Sequence, residues 1–224
     1  HREYYFANLV VQHGQWFSSL SDTYNAMLSI VFLGPMYSLG LNIGLTMVFK
    51  AVYPVLYSMM PVSLYLCYRN QIPERPAFIA AFFFIAFFGY YSLMPQLVRQ
   101  QIAELFLALL LVTVATDSVS ERKRAALIVV FYTGCVVSHY GTTIILTLTL
   151  IVAHVFYVGL KTLRGNVSYF TRVDVLSFSR WSFSSGILAA SLSIMIAWFG
   201  FAAGGQILRI YIQVISGIFG ALVQ

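Results

Sequence analysis

Two stretches of this chain, Ala77 to Val98 and Ala125 to Leu160, contain no Asp, Glu, Lys or Arg. A helix needs about 20 apolar residues to cross the hydrocarbon core of a bilayer. The first stretch is one crossing by that measure, and the second is two, folded back at the polar turn Ser138-His139-Tyr140-Gly141. Composition agrees: 60% of residues are hydrophobic and 9% charged, where a soluble domain carries roughly 25% charge. The expected class is an all-α, polytopic transmembrane bundle in the cell membrane.

Charge sets the orientation. The polar joints between apolar runs alternate, and every second one is basic. Arg69 and Arg75, then Arg122, Lys123 and Arg124, then Lys161, Arg164, Arg172 and Arg180 supply nine of the thirteen Lys and Arg. Positive residues collect on the cytoplasmic side of multispanning proteins, so these joints, including the long one over 161–180, are expected inside. The His1 end and the Ser138–Gly141 turn then face outward. A net charge of +6 would otherwise suggest nucleic acid; topology absorbs it, and no nucleic-acid partner is expected. Asp117, Glu121 and Asp174 fall in inner joints and read as solvated.

The pattern divides the chain into three parts. Residues 1–41 form outer-face helices: an amphipathic helix from Arg2 to His13 lying on the membrane, then a short interfacial or re-entrant helix from Tyr24 to Leu39. Residues 42–203 form the bundle, with spans over Asn42–Arg69, Pro76–Leu93, Leu97–Ala115, Ala125–Val137, Thr142–Leu160 and Ser182–Ala203. Residues 204–224 are amphipathic or a last partial span, giving six to seven crossings. Cys67 falls near the inner end of its span and Cys135 near the outer end of its own. The absence of an initiator Met or leader pattern at His1 reads as a piece of a longer protein.

A few polar residues on the outward side need a reason. Arg99, Gln100 and Glu104 sit in the first turns of the third span, where ionisable groups are costly to insert. Gln100 and Glu104, four apart, share a face, and Arg99 points elsewhere. Arg99 either snorkels to the headgroups or grips a phosphate with its forked guanidinium; Glu104 either pairs with a neighbouring helix or orients a substrate. Lys50 either snorkels or adds a second cation. His139 and Tyr140 at the outer turn are structural, or bind substrate and shuttle a proton.

The opening segment His1 to Trp16, with its Tyr-rich helix and Gly14-Gln15-Trp16, resembles the first outer loop of GT-C superfamily glycosyltransferases. These polytopic enzymes take a sugar from a polyprenyl-phosphate donor. The closer resemblance is to an uncharacterised family of large predicted archaeal membrane proteins within or beside that superfamily. It is carried by four stretches: Glu3 to Asn8, Tyr24-Asn25-Ala26-Met27-Leu28-Ser29, Arg99-Gln100-Gln101-Ile102-Ala103-Glu104, and Ser138-His139-Tyr140-Gly141.

That resemblance implies a sugar transferase of the cell envelope, acting on the extracytoplasmic face. Arg99 is assigned to the donor phosphate with Lys50 as helper. Glu104, Gln100, His139 and Tyr140 are placed around the substrate. The family's catalytic acidic residue aligns just upstream of His1, and Glu3 is the nearest carboxylate in the chain. Some members use a divalent metal. The competing expectation is a non-catalytic scaffold subunit associated with other membrane subunits.

Overall fold

The computed structural model describes residues 2–116, 118–164 and 185–222. All its regular elements are helical, with no strand among the described residues. Most of the inner joint expected over 161–180, and with it Asp117, Arg172, Asp174 and Arg180, lies outside them, as do residues 223–224.

Helix α1 (Arg2–His13) stops at Gly14, whose φ of +67° is a conformation only glycine adopts freely. The loop that follows is ordered by one buried side chain. Asn25, 2% exposed, donates from Nδ2 to the carbonyls of Phe17 (2.7 Å) and Leu20 (3.2 Å) and accepts from the Trp16 indole (3.1 Å). Helices α2 (Leu28–Val31) and α3 (Leu33–Gly40) form the short second element expected from the sequence. The break between them falls at Phe32.

The first crossing is continuous from Leu45 to Arg69, but its winding changes along the way. It runs as α4 (Leu45–Met47), a π-helical segment (Val48–Val52), α5 (Tyr53–Tyr57) and α6 (Met59–Arg69). Pro54 lies just past the π segment. Proline has no N–H to return to the carbonyl one turn back, and the residue before it, Tyr53, donates five residues back, to the Val48 carbonyl. A π-bulge of this kind rotates the residues before it relative to those after it, and Lys50 sits inside it.

Helix α7 (Glu74–Ala86) is followed by a π turn over Gly89–Leu93. Then come α8 (Val98–Ala115), α9 (Glu121–Ser138), α10 (Tyr140–Arg164), α11 (Ser185–Phe201) and α12 (Gln206–Leu222). Helix α8 is the central one, packed on α6 along one side and α9 along the other. The approach to α9 is close because Gly134 has no side chain: a Cβ there would lie 2.6 Å from the Phe106 ring. Small residues at membrane helix contacts allow this. The main core gathers Met27 and Ile30, Leu110, Tyr132 and Cys135, Phe199 and Ile207. The segment before the first long helix is thus seated on the bundle.

Among the described residues, three segments are long and apolar enough to cross a membrane: Leu45–Arg69, Val98–Ala115 and Tyr140–Gly159. A fourth arises if Ser185–Phe201 and Gln206–Gln213, bent by 107°, count as one broken span. This is fewer than six to seven, for two local reasons. The expected second span breaks at Phe87, whose extended backbone ends α7 after 13 residues. Helix α9 opens with Glu121, Arg122, Lys123 and Arg124, which leaves too short an apolar remainder. Arg124 itself is buried, donating to the carbonyls of Thr116 (2.9 Å) and Val119 (3.2 Å) while pairing with Glu121 (3.0 Å), so it clamps the α8–α9 joint. Glu121 keeps a solvated side chain, 82% exposed.

Candidate functional site

The four stretches that carry the sequence resemblance converge at the N-terminal end of α8. Glu3 of α1 faces that helix end. Its Oε2 accepts the Val98 N–H at 3.0 Å, and its Oε1 lies 3.2 Å from Nε of Arg99. The first N–H groups of a helix have no partner within it; the Leu97 carbonyl takes those of Gln100 and Gln101, but its side chain offers no cap to Val98 or Arg99. Glu3 therefore caps α8 from another helix, with its negative charge at the positive end of the dipole. Burial pushes its carboxyl above the ordinary range, and the Arg99 charge and the Val98 N–H only partly oppose that.

Arg99 has its guanidinium carbon 4.1 Å from the Tyr24 ring centre and 5.4 Å from that of Tyr140. Its Nη2 donates to the Tyr24 hydroxyl at 3.4 Å. Side chains of Arg99 and Glu3 are 10% and 11% exposed, so Arg99 is held inside the protein rather than extended toward headgroups. The Arg99–Glu3 contact is close but not linear: Arg99 Nε and Nη1 and Glu3 Oε1 lack hydrogen-bond partners among the described residues. Arg2 pairs with Asp22 and covers Tyr24 at 5.1 Å.

His139 ends α9 and stacks on Tyr140 at 5.4 Å. Its Nδ1 accepts the Thr142 N–H at 3.1 Å and meets the Thr142 hydroxyl at 2.8 Å, which places the ring proton on Nε2. Burial, with the nearby Arg99 charge, lowers its pKa to about 4. His139 is neutral at physiological pH. Behind it, Ser29 donates to the Ser138 carbonyl at 3.4 Å and the Tyr53 hydroxyl donates to the Ser29 carbonyl.

Glu104 belongs to a different neighbourhood. It accepts from Gln100 Nε2 at 2.8 Å and from the Tyr57 hydroxyl at 3.0 Å, and Tyr57 stacks on Tyr90. The shared face expected of Gln100 and Glu104 is present, joining α8 to the first crossing. No ion pair links Glu104 to Arg99 among the described residues.

Lys50 lies on the other side of Glu3. The two line a cleft of about 620 Å³ whose walls also include Tyr4, Thr46, Phe49, Gln96 and Val98. Lys50 is exposed and forms no ion pair among the described residues. Sequence reasoning named Glu3 and Lys50 but not their shared cleft, and missed Tyr4, Thr46 and Gln96 as walls. The Tyr24 clamp on Arg99 was signalled only by its place in the second stretch of the resemblance. Among the described residues, no group of three or more His, Cys, Asp or Glu side chains is close enough together to hold a metal ion, and Glu3 and Asp22 are each held by an arginine.

No family model, curated protein or solved structure matches this chain.

Proposed function

We propose that the protein is a membrane glycosyltransferase of GT-C type, moving a sugar from a polyprenyl phosphate to an acceptor hydroxyl on the extracytoplasmic face. The observation that carries this reading is the cleft in which a free ammonium, Lys50, and a carboxyl with raised proton affinity, Glu3, line the same space. The acceptor oxygen bonds to the anomeric carbon, its proton passes to Glu3, and the bond from that carbon to the phosphate oxygen breaks. The departing phosphate keeps the electron pair and is met by Lys50. A base of raised pKa and a cation placed where negative charge develops are what this displacement needs.

Arg99 takes a changed role in this scheme. Held between two tyrosines and against Glu3, it positions the carboxyl and leaves the phosphate to Lys50. In the same reading α7, continued through the π turn to Leu93, and α9, with Glu121 to Arg124 left at the inner interface, complete the six to seven crossings, with Arg69, Arg75 and Arg122 to Arg124 on the cytoplasmic side and the site outside.

The test is transfer from a polyprenyl-phosphate sugar by the protein in nanodiscs. Lys50→Met should lose about 10²- to 10³-fold in rate, Lys50→Arg should retain most of it, and Glu3→Gln should lose about 10²- to 10⁴-fold. Unimpaired transfer by both Lys50→Met and Glu3→Gln refutes the scheme.

One observation favours a second reading, the non-catalytic scaffold. A buried ion pair that caps a helix is sufficient to fix α1 on the bundle without any chemistry. A wild-type chain inert toward every lipid-linked sugar, yet unfolded by Glu3→Gln, supports that scaffold instead.

A further inference from the structure

Glu3 and Lys50 share one cleft, and Arg99, 8% exposed, lies against Glu3 with its Nε 3.2 Å from Oε1. While Glu3 is ionised, it and Arg99 cancel, and the three groups carry one net positive charge. With Glu3 protonated they carry two. The proton does not unseat α1, because Oε2 can accept the Val98 N–H as a neutral oxygen just as it does as a charged one. Nor does another acceptor take over the guanidinium: its Nε and Nη1 have no hydrogen-bond partner, and its carbon stays over the Tyr24 ring at 4.1 Å.

The surroundings of Glu3 favour such a change of state. Burial raises its proton affinity, opposed by Arg99 and more weakly by the amino-terminal charge. Of the elements around it, α8 brings Arg99, the π segment Lys50, α5 Tyr53 and α3 Tyr37, while α2 and α4 carry no ionisable side chain. Asp22 of the following loop is paired with Arg2. His139, on the far side of Arg99, is neutral above about pH 4.

We propose that Glu3 is a proton-operated clasp for the departing phosphate: the protonated carboxyl leaves two positive charges to hold a phosphate ester anion in the cleft, and the ionised carboxyl neutralises Arg99 and lets the anion go. This rests on the transferase reading, in which Lys50 meets the phosphate. In that reaction the acceptor's proton arrives on Glu3 as the bond to phosphate breaks, so product release waits until the proton leaves. The coupling is reciprocal: the anion strengthens proton binding at Glu3 by the factor by which the proton strengthens anion binding. A charge within about 4–6 Å changes the proton affinity of a carboxyl about tenfold or more.

The experiment titrates the full chain, in maltoside micelles that contain no phosphorus, with dimethyl phosphate, followed by phosphorus NMR. This diester does not itself titrate over the range used. Wild type should bind it about tenfold more tightly at about pH 5 than at about pH 8. Glu3→Gln, a carboxyl that is always neutral, should bind at the tighter level at both, and Lys50→Met should weaken binding at both. Adding the ester to weakly buffered wild-type protein between those pH values should draw protons from solution, a readout that needs no substitution. A second arm uses phosphatidylglycerol, the same ester on a lipid. Proton-linked binding of dimethyl phosphate shows that the headgroup suffices, and proton-linked binding of phosphatidylglycerol alone shows that the tails are required; either supports the clasp. No binding of either ester, equal affinity at the two pH values, no proton uptake, or a pH dependence that persists in Glu3→Gln overturns it.

The two ideas fail separately. Binding that needs Lys50 but ignores pH sinks the clasp and leaves the phosphate role standing. Proton-linked binding by a chain that transfers no sugar sinks the transferase and leaves a proton-linked phosphate-ester site.

Discussion

Replacing Arg99 by Met should destabilise the protein by about 3.5–7 kcal/mol, chiefly because it strands Glu3. The two side chains are 10% and 11% exposed and 3.2 Å apart. Removing one partner of a buried pair leaves the other charge uncompensated, and that loss typically costs about 3–5 kcal/mol. Loss of the Tyr24 contact at 4.1 Å adds roughly 0.5–2 kcal/mol. Together these come to about 3.5–7 kcal/mol, and at about 2–4 °C per kcal/mol for a chain of this size the melting temperature should fall by roughly 7–28 °C.

The protein supplies its own reporter. Cys67 and Cys135 are 6% and 0% exposed, so a thiol-reactive fluorophore added to detergent-solubilised protein brightens only on unfolding. The decisive variant is the double one. Glu3→Gln keeps an oxygen to cap the Val98 N–H but carries no charge, so Arg99→Met in that background should cost at least about 2 kcal/mol less than in wild type. Additivity within about 0.5 kcal/mol refutes the stranded-charge argument.

Further consequences can be measured with the same protein. Gly134→Ala should lower stability by about 1–3 kcal/mol through overpacking against Phe106, read by the same melt; an unchanged melt contradicts the close contact of α8 and α9. His139 titrates at about 4 against its ordinary 6.5, so the folded state holds this proton less tightly than the unfolded chain. Its contribution is full above pH 6.5 and is lost as pH falls through about 4. At about 1.4 kcal/mol for each tenfold in proton affinity it amounts to about 3 kcal/mol, and the acid loss in His139→Gln should shrink accordingly. The burial of both native cysteines defeats a labelling test of topology based on them. Leu20→Cys and Arg122→Cys, both at exposed positions, replace it, and an impermeant thiol reagent on intact cells should reach residue 20 and not 122.

The class of fold was legible because hydropathy over tens of residues is a one-dimensional property, and the runs 77–98 and 125–160 state it directly. The number of crossings was less so. Whether 76–93 is one rod depends on the backbone at Phe87, and whether α9 crosses depends on where Arg122 to Arg124 end up. Neither is written in mean hydropathy.

At the site, sequence picked out Arg99 as an ionisable residue out of place, and the structure gives it an occupation in Glu3. That partner was invisible because pairing across 96 positions (99 − 3) leaves no periodic trace. The spacing of Gln100 and Glu104 was readable for the opposite reason: residues four apart on a helix must be neighbours. The cleft around Lys50 depended on a π segment just before Pro54, where helical counting loses register.

The cap that Glu3 places on α8 also sets a schedule for synthesis. The acceptor and the N–H it serves are 95 residues apart. At about 5–20 residues per second, the ribosome needs roughly 5–20 seconds to make Val98 after Glu3. During that interval the first helix can already meet α2, α3 and α4, but Glu3 has neither the Val98 N–H to accept nor Arg99 to pair with. The partners of this carboxyl are thus the last part of the seat to be made, and a nascent chain halted before Val98 should hold α1 on α2 to α4 with Glu3 still uncommitted.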